Sequence, residues 1–183
     1  SNDDLEFLFS TEVYEDLSKR NENDRYEYIL PNFNISKNLP NQLDGQLEFR
    51  SMGYNKLYET NIDEKIFVND LIYKSIDYIN NTGFISNFEV VLKNFNANSK
   101  NSKSLKNKEE NNLQGLFQYN SKLPMIKDSQ NARKVLTPIF SAKFNPSNKN
   151  KDIKNDDRFI DYTNIYSINR LGSNQVLEGG QSI

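Results

Sequence analysis

The chain has 183 residues, a formal net charge of −2 and no Cys, His or Trp, with a sequence pI of 5.3. That balance offers no basic field to hold a phosphate backbone, so nucleic acid is not an expected partner. The missing Cys and His exclude disulfide frameworks, the usual zinc sites and Ser–His or Cys–His catalysis.

Apolar residues make up only 36 %, yet 12 Phe and 10 Tyr are present. Low apolarity with many aromatics suits strands that are greasy on one face alone. With 29 Asn in the chain, Asn-x-Ser/Thr matches such as Asn34-Ile35-Ser36 carry little weight. No apolar run reaches the ~18–20 residues of a transmembrane helix, a test that strand-built membrane proteins escape.

The first element is a strand: in Leu5-Glu6-Phe7-Leu8-Phe9-Ser10-Thr11-Glu12-Val13 the odd positions are Leu, Phe, Phe, Thr and Val, a period of two. A polar, turn-like stretch over 16–24 follows. The next strand, 25–37, carries Tyr26, Tyr28 and Leu30 on even positions, then Phe33 and Ile35 on odd ones. A phase change at Pro31 predicts a bulge or bend, because proline cannot donate to the ladder. The Pro-, Asn- and Asp-Gly-containing segment 38–45 predicts a turn, and 46–60 a long strand. After Asp63-Glu64, the segment 66–78 has two readings. Ile66, Leu71, Ile72, Ile76 and Ile79 could line a helix, but the β-branched and aromatic content and the strand-like neighbours favour a strand. Asn80-Asn81-Thr82-Gly83 predicts a hairpin loop, and 84–96 a strand with Phe84, Phe88, Val90, Leu92 and Asn94 on one face.

Residues 97–112 are low in complexity, rich in Asn, Lys and Ser, and predict a mobile loop. Strands are expected at 113–122 and 134–144, separated by a loop at 123–133. A second polar loop is expected at 145–157, followed by a strand from Phe159 to Arg170 and a Gly-containing stretch. The total is about seven or eight strands of about ten residues or more, against about five or six residues in ordinary soluble strands. A tilted membrane-barrel strand needs about 9–11. Short turns alternating with long polar loops point the same way. The expected fold is therefore all-β: an antiparallel transmembrane β-barrel segment, an open sheet in isolation, with long polar loops.

The C-terminal third carries a resemblance. Leu123-Pro124-Met125 precedes Leu136-Thr137-Pro138-Ile139-Phe140-Ser141-Ala142-Lys143-Phe144-Asn145-Pro146, then Asn164-Ile165-Tyr166-Ser167-Ile168-Asn169-Arg170-Leu171, then Glu178-Gly179-Gly180. This order resembles the barrel domain of the lipopolysaccharide-assembly protein LptD family, with its Leu-Pro element, its L-x-P strand, its N-x-F-S-x-N-R-F run and its closing E-G-G. Arg25-Tyr26-Glu27-Tyr28-Ile29-Leu30-Pro31 is similar to an earlier strand of that family. Where many members have Gly-x-Asp-Arg, this chain has Ser173-Asn174-Gln175-Val176, so the charged pair of its relatives is missing. The resemblance implies structural roles for Pro138, Pro146, Asn164, Asn169, Arg170, Glu178, Gly179 and Gly180. It also implies location in the outer membrane of a Gram-negative cell and passage of lipopolysaccharide. A lipoprotein of the LptE type would plug the barrel, and a jelly-roll domain outside this chain would meet periplasmic bridge proteins. No enzyme activity, cofactor or metal is expected.

Asp152, Asp156 and Asp157 could chelate a hard cation, although a solvated loop accounts for them more simply. Glu109-Glu110 lacks the burial that tunes a catalytic acid and base, and Lys100, Lys103, Lys106 and Lys108 read as solubilising. Arg170 and Glu178 are either a structural pair or chance neighbours. Tyr26, Tyr28, Tyr58, Tyr162 and Tyr166 are candidates for interfacial aromatic girdles. The rival reading is a soluble β-sandwich that binds carbohydrate, with short strands around a shared core. A carboxylate-pair glycosidase is more distant, since no acidic pair sits at facing strand ends. The first residues lack the pattern of a signal peptide, and the abrupt start and stop predict a piece of a longer chain that does not fold alone.

Overall fold

A strand with apolar side chains at every second position has one greasy face and one polar face, and pairing in register keeps like faces together. The computed structural model describes residues 5–18, 25–59, 61–102, 105–129, 132–147, 160–170 and 176–183. Its long strands are β1 (Leu5–Glu15), β2 (Tyr26–Leu39), β3 (Gly45–Tyr58), β4 (Asp63–Ser75), β6 (Ile85–Lys100) and β7 (Glu110–Lys122). Shorter ones are β5 (Tyr78–Ile79), β8 (Met125–Ser129), β9 (Ala132–Leu136), β10 (Ile139–Asn145) and β11 (Gly180–Ser182). Nine strands form one antiparallel sheet in the order β1-β2-β3-β4-β6-β7-β10-β11, with β5 on the side of β6; β8 and β9 pair separately. The sheet is open. The expected antiparallel all-β fold is present, and the 66–78 segment is strand β4 rather than helix.

The phase change at Pro31 is a bulge. Register slips between Ile29 and Asn32 in β2, opposite a slip between Ser10 and Glu12 in β1. Tyr28 before the proline and Phe33 after it therefore lie on the same face.

That face, here called the open face, carries a continuous row across six strands, Leu39–Leu47–Tyr73–Val90–Phe117–Phe144. Phe49, Leu71 and Leu92 form the next row, and Phe33 and Phe67 flank Gly53 further along. Rings contact across strands, Phe33–Phe67 at 6.1 Å, Tyr73–Phe88 at 5.6 Å and Phe88–Phe117 at 6.2 Å between centroids. Phe67, Leu92, Leu113, Phe117 and Phe144 of this face are among the exposed apolar residues.

The other, covered face alternates polar and apolar rows. Ser36–Arg50–Asp70–Lys93–Gln114 is one row, and Gln46–Lys74–Glu89–Gln118–Lys143 another. Between them Ile72, Val91 and Leu116 pack with Ile168 and Leu177. A second cluster joins Ile66, Val68, Phe95 and Ala97 with Met52, Tyr54 and Leu105.

Four expectations are corrected. Only part of 97–112 is a loop: β6 runs to Lys100 and β7 begins at Glu110. Ala97 and Ser99 face the covered side and pair with β4, Leu105 joins the second cluster, and Ser102 donates to Glu64. The segment 123–133 is largely the β8–β9 hairpin, and the strand expected over 134–144 breaks at Thr137-Pro138. Long connections occur at both ends of the sheet rather than at one, since the hairpin arm lies at the end opposite the β1–β2 and β6–β7 connections. Residues 160–170 form turns, not a strand. Asp161 explains this: its carbonyl accepts from Ile165 N at 2.9 Å, and its carboxylate accepts from Thr163 N at 2.7 Å, local bonds that compete with a ladder. Most of the expected 145–157 loop, from 148 onward, lies outside the described residues, as do Asp152, Asp156, Asp157 and Lys103.

Candidate functional site

The covered face receives the C-terminal segment, and polar side chains of β7 and β10 hold it there. On β7, Asn112, Gln114, Leu116 and Gln118 alternate with outward residues, so the even positions all point inward. Gln118, 1 % exposed, donates from Nε2 to Tyr166 O at 2.6 Å and to Asn120 Oδ1 at 2.7 Å. Gln114 Oε1 accepts from Leu177 N at 2.7 Å. From β10, Lys143 donates to Ser167 O, and Asn145 Nδ2 donates to Glu178 O at 2.9 Å. Buried amides need partners, and here the backbone of a distant segment supplies them.

Beneath this segment lies a cavity of about 330 Å³, lined by charged residues of β3, β4 and β6 and by Ile168, Asn169 and Leu177. Four of its six charged side chains form two ion pairs. Lys93 donates to Asp70 at 2.7 Å, with the lysine side chain 4 % exposed. Arg50 reaches both carboxylate oxygens of Glu48 at 2.5 and 2.9 Å, and Glu48 accepts from Ser36 at 2.8 Å. The result is a polar wall with no net field, able to face water or sugar hydroxyls.

The residues singled out from sequence fall in or beside this region. Asn169 lines the cavity. Arg170 meets Glu178 in a two-pronged pair, Nε to Oε2 at 2.6 Å and the second nitrogen to Oε1. The carboxylate raises the Arg170 pKa, holding the guanidinium charged. Asn164 is buried, and its Oδ1 accepts from Asp161 N at 3.0 Å. Gly179 leads into Gly180, whose φ of +89° favours glycine and which pairs with Asn145. Pro138 and Pro146 are elsewhere: Pro138 O accepts from Leu123 N at 3.1 Å at the base of the hairpin arm, and Pro146 follows β10.

The five tyrosines named from sequence lie in different surroundings. Tyr26 and Tyr28 are on the open face, rings 6.4 Å apart. Tyr58 instead faces Glu27, donating to it at 2.5 Å, and Tyr162 and Tyr166 belong to the C-terminal segment. Sequence reading missed Gln114, Gln118, Lys143 and Asn145; the polar residues recurring at even positions of 112–120 were the available signal. Comparison with protein-family models, curated proteins and solved structures finds no match to this chain.

Proposed function

We propose that these strands are part of the wall of an outer-membrane β-barrel that inserts lipopolysaccharide into the outer leaflet, with the open face against lipid and the covered face toward the lumen. The observation that carries this reading is the uncovered apolar row Leu39–Leu47–Tyr73–Val90–Phe117–Phe144 across six strands. Five of those strands are 13–16 residues long, enough to cross a bilayer at a tilt. In water such a face is a liability; in lipid it is the required surface, while paired strands satisfy the backbone. Among the described residues the covered face packs on the turn-rich C-terminal segment rather than on a second sheet, which favours a wall over a sandwich.

The substrate rests on the resemblance of 123–183 to the LptD family, and so do the partners, an LptE-type lipoprotein in the lumen and periplasmic bridge proteins. The chain would act as wall rather than enzyme. The test is site-specific photo-cross-linking in the full-length protein in cells. Benzoylphenylalanine at Ile72 or Glu89 should capture lipopolysaccharide. Extraction of the protein by carbonate, or covered-face probes that capture no lipopolysaccharide while the protein is membrane-integrated, would overturn membrane insertion or the substrate respectively.

A further inference from the structure

The β8–β9 hairpin continues the β7–β10 ladder without a change of register. Phe144 opposite Phe117, Ile139 opposite Lys122, Met125 opposite Leu136 and Ser129 opposite Ala132 are successive rungs of one hairpin. Pro124 and Pro138 remove two ladder donors in the middle, which ends the wall and frees the arm. Among the described residues the strands of the arm pair only with each other, and a bare two-stranded hairpin is marginal in water.

Its composition is ordered along its length. The first two rungs are apolar on both faces, Met125/Leu136 and Ile126/Val135, and all four residues are exposed, Val135 and Leu136 at 63 %. The third rung sets Lys127 directly opposite Lys134. Like charges at directly opposed positions repel and destabilise a hairpin. On the fourth rung Asp128 and Arg133 satisfy each other at 3.3 Å, so that carboxylate is engaged with the arginine. By the alternation of the pleat, Met125, Leu136 and both lysines continue the open face that carries Phe117 and Phe144. The loop beside the arm is apolar too: Ile76, Tyr78, Ile79 and Phe84 are exposed at the same end of the sheet. At the opposite end the open face is polar on β6 and β7, with Asn94, Asn96 and Asn98 on β6 and Asn111 on β7.

We propose that the β8–β9 arm is a membrane-surface anchor, its two apolar rungs in the interfacial layer and the Lys127–Lys134 pair clamping the phosphate of an anionic lipid headgroup. An anion between the two ammonium groups turns their repulsion into a chelate, and Met125 and Leu136 continue the lipid-facing surface of the wall. The bilayer then meets the sheet off-centre, toward the arm, and the Asn-rich end stands clear of it. This inference rests on the wall reading above and deepens it.

These 183 residues have no cysteine, and any cysteine elsewhere in the full-length protein is first replaced by serine so that single labels are unambiguous. The full-length protein is reconstituted into phosphatidylcholine vesicles with and without phosphatidylglycerol, and fluorophores are placed by Met125→Cys, Leu92→Cys and Asn98→Cys. Quenching by a lipid-borne nitroxide is expected at Leu92 and Met125 but not at Asn98. Phosphatidylglycerol should raise quenching at Met125 alone, and Lys127→Glu with Lys134→Glu should abolish that rise, a change of about fivefold per lysine in membrane occupancy of the arm. Quenching at Leu92 without quenching at Met125 overturns the anchor and leaves the wall reading standing. No quenching at Leu92 overturns the wall itself. Quenching at Met125 that ignores phosphatidylglycerol and survives the double charge reversal overturns the lysine clamp, as does an equal rise when free inorganic phosphate replaces phosphatidylglycerol.

Discussion

Arg170 and Glu178 meet as a two-pronged ion pair, eight residues apart and on either side of the segment 171–175, with side chains 15 % and 17 % exposed. The pair fixes both stems of that segment against the covered face. It sits next to Asn145, which bonds the Glu178 carbonyl, so stem, sheet and salt bridge support one another.

Glu178→Gln should therefore loosen the C-terminal segment without unfolding the sheet. A part-buried charge-assisted pair of this geometry is worth about 1–3 kcal/mol, and Arg170→Lys should recover little because an ammonium lacks the planar fork. Hydrogen exchange reads the result: amides of 164–178 should exchange about tenfold faster or more, with β3, β4 and β6 unchanged.

Gln114 and Gln118 are expected to act through the same segment. Each Gln→Ala change removes a bond to the backbone of the segment and strands a buried group, costing about 1–3 kcal/mol. With a reporter Ile168→Cys, maleimide labelling of the full-length protein should accelerate in both variants. Unchanged labelling would show that the apolar cluster alone holds the segment.

Open-face charges separate lipid from water as the environment of the wall. Leu92→Arg or Phe117→Arg should cost about 2–4 kcal/mol near a bilayer midplane, whereas an exposed site in water tolerates such a change within about 0.5 kcal/mol. Refolding titrations in vesicles against urea give the difference. Asn98→Arg, at the polar end, should be near neutral in the same assay.

Lys93 and Asp70 form a close pair on the covered face. Lys93→Met strands the carboxylate and should destabilise by about 3–5 kcal/mol, and adding Asp70→Leu should restore much of the loss, because a buried pair is often replaceable by apolar residues. A double-mutant cycle on urea midpoints measures the coupling.

Gly53 is needed for its lack of a side chain. A Cβ there would stand 2.7 Å from the Phe33 ring and 2.8 Å from the Ile66 carbonyl, so Gly53→Ala should cost about 1–3 kcal/mol through overpacking. Gly115→Ala, whose Cβ would meet only Leu92 at 3.4 Å, is the milder control in the same titration.

By itself the sequence determined the strands up to β6 and their faces. Period two is a local property, so Leu5 to Val13, the slip at Pro31 and the greasy positions of 84–96 are readable from neighbouring residues alone. Arg170 and Glu178 stood in the sequence as either a structural pair or chance neighbours, and the fold decided for the pair. Tertiary structure decided what lies across the sheet. Lys93 meets Asp70, and Gln118 meets Tyr166, through registers summed over several strands, which no local pattern encodes. The 160–170 segment alternates like a strand, yet its Asp161 and Asn164 bonds and the waiting amides of β7 and β10 offered a lower-energy place on the covered face. For 97–100 the reverse held: a polar, loop-like composition was drawn into the ladder because β4 presented unpaired backbone beside it, with β7 reaching Ala97 on the other side.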